Sequence, residues 1–400
     1  MLGATVLCYF TLYGPQPLLP IFGAQYGLSP AGAGLIVTVA MIPLTIGPVL
    51  SGALLSFAAP GRVMSFALLM LSAAIVVFIV ADRYPVVLAA RLVQGMMFPL
   101  ILTTVTAQIA AASPAGSVGR RLGYYVAATI VGGFGGRLLS SAFAALGDWR
   151  WFFAIVAAGA LGVGVWVARW DVVPSAAGRP RGRAGDLPAS PVATPAAARP
   201  MPIRIFAGVF VLFCVFSGTL NVLPFRVIGL IGTRSEWLSG VIYAGYAMGI
   251  VSSIGSHRIV RVSGGRPRAL AAAYLVLAAS IALMLVNSVG VLFGALFLFC
   301  GAMFLIHSVA TGAANQHASG REGAVNGLYI SSYYTGGVIG TYLAPLVYEV
   351  LGWAALTLIA LVLTAFGALL VIGAVPAGVP TAGRPLTGDY GNRSAPADPR

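Results

Sequence analysis

The sequence predicts an all-α integral membrane protein: twelve transmembrane helices in two pseudo-symmetric six-helix bundles. Three observations predict it. The 400-residue chain is 59% hydrophobic and 8% charged, with a mean hydropathy of +0.95, too few charged groups to cover a soluble globule of that size. Its apolar residues form continuous stretches of roughly 20, the length that crosses a ~30 Å hydrocarbon core, without the alternation of a membrane barrel. The chain also matches itself at an offset of 204 residues: Gly116, Gly119, Gly123, Tyr125, Gly132, Gly133, Gly136 and Trp149 meet Gly320, Gly323, Gly327, Tyr329, Gly336, Gly337, Gly340 and Trp353. Gly14 meets Gly218, Pro20 meets Pro224, and Gly61 with Arg62 meets Gly265 with Arg266. Chance gives about three Gly-on-Gly coincidences for 51 glycines, and eight occur.

The first bundle, residues 1–169, takes six spans in order: approximately 2–22, 33–56, 64–81, 86–112, 123–145 and 151–169. Residues 170–204 are rich in Pro, Ala, Gly and Arg, hold no run long enough to span, and read as a disordered cytoplasmic linker. The second bundle, 205–375, spans approximately at 205–229, 238–256, 269–287, 289–315, 324–348 and 353–375. Residues 376–400 read as a disordered cytoplasmic tail.

A net charge of +14 would suggest nucleic acid in a soluble protein, but here the position of each arginine matters more. Seventeen of the 23 arginines fall in the loops after even-numbered spans or in the tail, among them Arg62, Arg120, Arg121, Arg258, Arg261, Arg266 and Arg268. The positive-inside rule places those loops, and both termini, in the cytoplasm; the membrane expected is the inner membrane of a bacterium. The opposite side keeps only Arg83, Arg150, Arg226 and Arg234, while Arg91 and Arg137 lie within spans. Charge is thereby accounted for without nucleic acid. Cys8, Cys214 and Cys300 each lie inside an apolar segment and read as packing residues, not as a metal cluster or a disulfide framework. Met1 lacks a basic flank, so no cleavable signal is expected, and the abrupt apolar start leaves the completeness of the N-terminus open.

Several pieces in order carry a resemblance. They are Pro17-Leu18-Leu19-Pro20 in the first span, Leu88, Arg91, Gln94 and Gly95 in the fourth, Gly132, Gly133, Gly135, Gly136 and Arg137 in the fifth, and the outer Gly147-Asp148-Trp149-Arg150 turn. Together they resemble the major facilitator superfamily, and within it the twelve-helix drug/proton antiporter branch of multidrug and sugar-efflux permeases. The resemblance implies two bundles that rock about a central cavity, a small-molecule substrate, protons as coupling ion, no cofactor, and a monomer in the lipid bilayer. Three features depart from the family's pattern. After span two Gly52 is followed by Ser56 and Phe57, so only the basic end, Arg62, survives; the fifth span lacks the antiporter proline; and Asp82, Asp148, Glu236 and Glu349 all fall at outer ends or loops. A buried proton-carrying carboxylate is therefore not expected.

Within the spans an ionisable side chain needs a partner, a wet cavity or an interface, which makes Arg91 and Arg137 functional candidates. Arg91 either handles substrate or protons, as the resemblance implies, or snorkels outward. Arg137 either meets substrate or pairs with Asp148 or Glu349. His307 is the in-membrane group that titrates near neutral pH, a candidate proton carrier against the alternative of a hydrogen-bonded packing residue. Tyr13, Gln16, Gln94, Asn221, Tyr333 and Tyr334 can hydrogen-bond a ligand at mid-membrane or simply bond one helix to another. Gly95, Gly132, Gly133, Gly136, Gly336, Gly337 and Gly340 read as helix-contact residues, and Arg62 and Arg266 as parts of cytoplasmic gating turns.

No phosphate loop, ligand-spaced Cys/His cluster or Ser-His-acid set can be placed, so the chain is not read as an enzyme. The function expected is secondary active transport of a small organic molecule by alternating access, as proton-coupled efflux of a drug-like or sugar-like compound. Two alternatives stand: an organic-anion carrier built on Arg91 and Arg137 without carboxylate coupling, and a transport-dead membrane sensor.

Overall fold

The computed structural model describes residues 1–57, 59–113, 118–170, 201–317 and 321–375. Of the linker expected at 170–204, residues 171–200 lie outside the described residues, while Trp170 ends one helix and Ile203 and Arg204 begin the next; the tail expected at 376–400 also lies outside the described residues, as do Gly116 and Gly320 of the repeat.

Helices in the first half are α1 (Leu2–Tyr13), α2 (Leu19–Tyr26), α3 (Pro30–Phe57), α4 (Pro60–Val80), α5 (Tyr84–Ala112), α6 (Val118–Leu146) and α7 (Arg150–Trp170). The second half has α8 (Ile203–Ile231), α9 (Glu236–Val241), α10 (Tyr246–Val262), α11 (Arg266–Leu283), α12 (Val289–Asn315) and α13 (Glu322–Ile372). Among the described residues ten segments are long and apolar enough to cross a membrane. The last is two spans joined at Gly352, whose φ of 78° and ψ of 179° reverse the chain without a loop. A further span is α1 with α2, expected as one helix over 2–22. It is broken by a 3-10 turn at Gln16–Leu18, because Pro15 and Pro17 bring no N–H to the helical ladder. The eighth span is likewise α9 and α10 joined by a 3-10 turn at Ile242–Gly245. The twelve expected spans are thus present.

Helix-to-helix packing repeats with the sequence. In the first half α6 lies on α1, where a Cβ on Gly132 would sit 2.7 Å from Tyr9 Cβ and one on Gly136 would sit 2.9 Å from Phe10 Cα. In the second half α13 lies on α8, where Cβ atoms on Gly336 and Gly340 would run into the carbonyls of Phe210 and Cys214. Phe210 and Cys214 stand 204 residues after Val6 and Phe10, so the same contact is built twice. Small residues matter here because lipid tails are as apolar as side chains, and close van der Waals approach is what drives helices together in a bilayer. On the outside, Ile254, Leu275, Val362 and Leu369 are exposed, as a lipid-facing belt requires.

The halves meet along α3 with α13 and along α6 with α9. Each of these contacts lies in the part of the bundle away from the arginine-rich loops.

Candidate functional site

Prolines inside membrane helices leave carbonyls four residues earlier without a helical donor, and in hydrocarbon such a group must be satisfied from elsewhere. Pro15 orphans Thr11, and Arg91 Nη1 donates to that carbonyl at 2.7 Å. The same guanidinium bonds Leu12 O at 2.9 Å, Ile36 O at 2.8 Å and Gln94 Oε1 at 2.7 Å, while Gln94 in turn donates to Ala74 O. Pro224 orphans Leu220, and the Tyr243 hydroxyl donates there at 2.9 Å. Pro345 orphans Thr341, and Asn221 Nδ2 donates there at 3.0 Å. Arg91, Gln94 and Asn221 are all fully buried, and none of them lines the cavity between the halves. Arg91 therefore does not snorkel: its head is enclosed by protein and spent on the broken first span.

Arg137 is 1% exposed and also finds protein acceptors, Gln16 Oε1 and its own helix's Gly133 O, both at 2.7 Å. It pairs with neither Asp148 nor Glu349. Asp148 is held by Arg150 instead, and Glu349 accepts from the Ala31 amide. In place of a carboxylate, Arg137 faces the rings of Tyr13, Tyr246 and Tyr243, with centroids 4.1, 4.6 and 5.1 Å from its guanidinium carbon. A cation over a ring face gains from the quadrupole, more so when desolvated.

This cluster closes one end of the bundle. Gln16 Nε2 donates to Asn221 Oδ1 at 3.4 Å across the two halves. Beside it Thr38 Oγ1 meets Thr341 Oγ1 at 3.0 Å, the Ser141 hydroxyl donates to the Glu236 carbonyl, and Gly34 leaves room for Pro345.

On the arginine-rich side of this closure the halves part around a cavity of about 620 Å³. Its wall is aromatic, with Tyr9, Tyr13 and Tyr125 from the first half and Phe213, Phe216, Tyr246, Phe304, Tyr333 and Tyr334 from the second. Thr103, Thr106, Ser253, Asn326 and His307 add polar points, and no carboxylate lines it among the described residues. Tyr9 and Tyr334 touch hydroxyls across the cavity at 3.3 Å. His307 Nδ1 lies 3.0 Å from the Tyr329 hydroxyl, and its ring packs on Tyr333.

Of the residues expected to meet a ligand, Tyr13, His307, Tyr333 and Tyr334 line the cavity, and Gly133 lines it with them. Gln16 and Arg137 line a small annex that shares Tyr13, Phe213, Phe216 and Tyr246 with it. Arg91, Gln94 and Asn221 do not reach the cavity. Arg62 and Arg266 sit at helix starts in the arginine-rich loops, Gly95 packs against the Ala40 carbonyl, and Gly337 presses on Phe213 and Met41. Sequence reasoning missed Tyr9, Tyr125, Phe213, Phe216, Tyr246 and Phe304. The repeat held part of the signal, since Tyr9 meets Phe213 and His307 meets Thr103 at the 204 offset, and all four line the cavity.

The family model of the Major Facilitator Superfamily matches residues 1–329. The chain belongs to this superfamily. The Escherichia coli (strain K12) inner membrane transport protein YnfM is 25% identical over 367 residues, covering 88% of this chain and 84% of YnfM. Among solved structures, nucleoside transporter NupG matches with a TM-score of 0.73 at 11% identity, covering 94% of this chain and 99% of NupG. A bacterial homologue of the human lysosomal transporter Spinster, in an inward-facing and unoccupied conformation, matches with a TM-score of 0.64 at 15% identity, covering 94% and 95%. As a member of the Major Facilitator Superfamily, this multi-pass protein is a membrane transporter for a small molecule. In that fold the cavity between the halves is where cargo is held as they rock.

Proposed function

We propose that the protein is a secondary active transporter of the bacterial inner membrane that exports a small drug-like or sugar-like molecule in exchange for protons. One observation carries this: an aromatic cavity bounded by both halves, sealed at the arginine-poor end and lying toward the arginine-rich end. The positive-inside rule assigns the arginine-rich end to the cytoplasm, so the cavity faces inward, the state in which an exporter loads its cargo. Ring faces and scattered hydroxyls suit an apolar or amphiphilic body, as in pockets that are mostly apolar with a few polar groups. His307 supplies the proton step, being the cavity-lining imidazole and bonded to Tyr329 on the neighbouring helix. The two terminal segments and the linker lie on the cytoplasmic side, and each half moves as one unit, residues 1–169 against 205–375.

The test is reconstitution of the full chain into liposomes with an imposed pH gradient and a panel of neutral, cationic and anionic compounds. Movement of at least one class, accelerated by the gradient, is expected. If no compound moves at any gradient, the proposal fails, and binding without flux would instead make the protein a sensor.

A further inference from the structure

Among the described residues no anionic partner meets the buried cation Arg137; Asp148 pairs with Arg150 at the periphery. The acceptors on Arg137 are an amide oxygen and a carbonyl, both neutral. A charge removed from water is best matched by an opposite charge, and a guanidinium fork fits a carboxylate more closely than it fits an amide. The annex that holds Arg137 adjoins the cavity, since Tyr13 and Tyr246, whose rings stand over the guanidinium, line both; at about 10 Å³ it admits a carboxylate only where Gln16 gives way.

Gln16 is the second half of the observation. Its amide oxygen is engaged by Arg137 in the first bundle while its amide nitrogen reaches Asn221 in the second. One side chain thus spans the site and the closure. A carboxylate arriving on Arg137 competes with the Gln16 oxygen for the same donor, and a Gln16 displaced from Arg137 is no longer held in register with Asn221.

We infer that Arg137 is the specificity-determining group for an acid-bearing amphiphile, whose carboxylate takes the place of Gln16 on the guanidinium while its apolar body lies in the aromatic cavity. Displacing Gln16 loosens the tie between the halves, so that occupancy favours opening of the sealed end. The inference rests on the transport proposal for its consequence, but its binding step stands apart from it.

The probes are 2-naphthoate and its uncharged analogue 2-naphthamide, which share a ring system and differ in the charged group. Binding to the purified full chain is measured in nanodiscs, and flux separately in liposomes. The wild type should bind the acid on the order of tenfold more tightly than the amide, as hydrogen bonds to charged partners imply. Arg137→Gln should lose that preference and Arg137→Lys keep part of it. Should Arg137→Gln not fold, Gln16→Leu provides an independent check, because it removes the competing acceptor and should tighten the acid without tightening the amide. Equal binding of acid and amide to the wild type overturns the inference, as does an acid affinity unchanged in Gln16→Leu. Flux of the amide without preference for the acid sinks this inference and leaves transport standing. Tight acid binding without flux does the reverse.

Discussion

Arg91 donates to the Thr11 carbonyl at 2.7 Å, the carbonyl that Pro15 deprives of its helical donor. One guanidinium, with the Leu12 carbonyl as its next acceptor, thereby stands in for backbone N–H groups at a break in a membrane helix. The break matters because it turns the chain at Gln16 and sets that side chain between Arg137 and Asn221. Arg91 accordingly acts on the site through the backbone of the first span.

Replacing Arg91 should lower stability before it changes what the protein recognises. Arg91→Leu leaves the Thr11 carbonyl buried without a donor and strips the Leu12 and Ile36 carbonyls and Gln94 Oε1 of one, a loss of about 1–3 kcal/mol or more at 1–3 kcal/mol for an orphaned group. Arg91→Lys should rescue little, since one ammonium cannot reproduce the planar fork that serves three helices. Thermal unfolding in detergent, followed by size-exclusion recovery, measures the difference. A variant as stable as the wild type would contradict this role.

The repeated glycines should divide into two classes despite equal places in the repeat. Gly340→Val drives a side chain into the Cys214 carbonyl and should cost at least about 1–3 kcal/mol, with loss of monodisperse protein. Gly123→Ala and Gly327→Ala meet nothing within 4 Å and should be neutral or slightly stabilising. Expression and melting temperature of the three variants decide the matter.

Thr38 and Thr341 offer a way to arrest the cycle. Their hydroxyl oxygens are 3.0 Å apart across the halves, so a double Thr38→Cys, Thr341→Cys variant should close a disulfide of ~2.05 Å with small side-chain adjustments. Oxidant should stop flux and reductant restore it. Continued flux with the bond quantitatively formed would show that this end need not open.

For His307 the expected change is in coupling. His307→Gln keeps a hydrogen-bonding side chain near Tyr329 but cannot carry a proton, so flux of the best substrate should persist down its own gradient and cease to respond to an imposed pH gradient. Tyr329→Phe should weaken the response without abolishing it. An unaltered pH response in His307→Gln places proton exchange elsewhere.

The spans and their pairing into halves were legible because hydrophobic length and the 204-residue offset are direct consequences of the bilayer and of the repeat. Cavity membership was harder to read. Composition marks Arg91, Gln94 and Asn221 as unusual in hydrocarbon but does not say whether a polar group faces cargo or repairs a helix. The prolines could have made that distinction for Arg91 and Asn221. Pro15 and Pro345 name Thr11 and Thr341 as carbonyls in need of donors, and the two side chains supply them. The aromatic wall was missed for the opposite reason. Tyr9, Phe213, Phe216 and Phe304 are ordinary residues in a membrane helix, and only the way the halves part exposes their rings to one space.

The hydrogen bonds of the two buried arginines also run in one direction along the chain. Beyond their own helices, Arg91 bonds carbonyls of Thr11, Leu12 and Ile36, and Arg137 bonds Gln16. Every one of these acceptors precedes its arginine in sequence. A ribosome delivers α1 and α3 to the bilayer before α5, and the Gln16 turn before α6, so each charge arrives where its acceptors are already waiting. An arginine at a helix centre carries an insertion penalty of ~2.5–3.5 kcal/mol, and acceptors made earlier are there to offset it. Moving the first span to the end of the chain by circular permutation would remove that order while leaving the finished contacts the same.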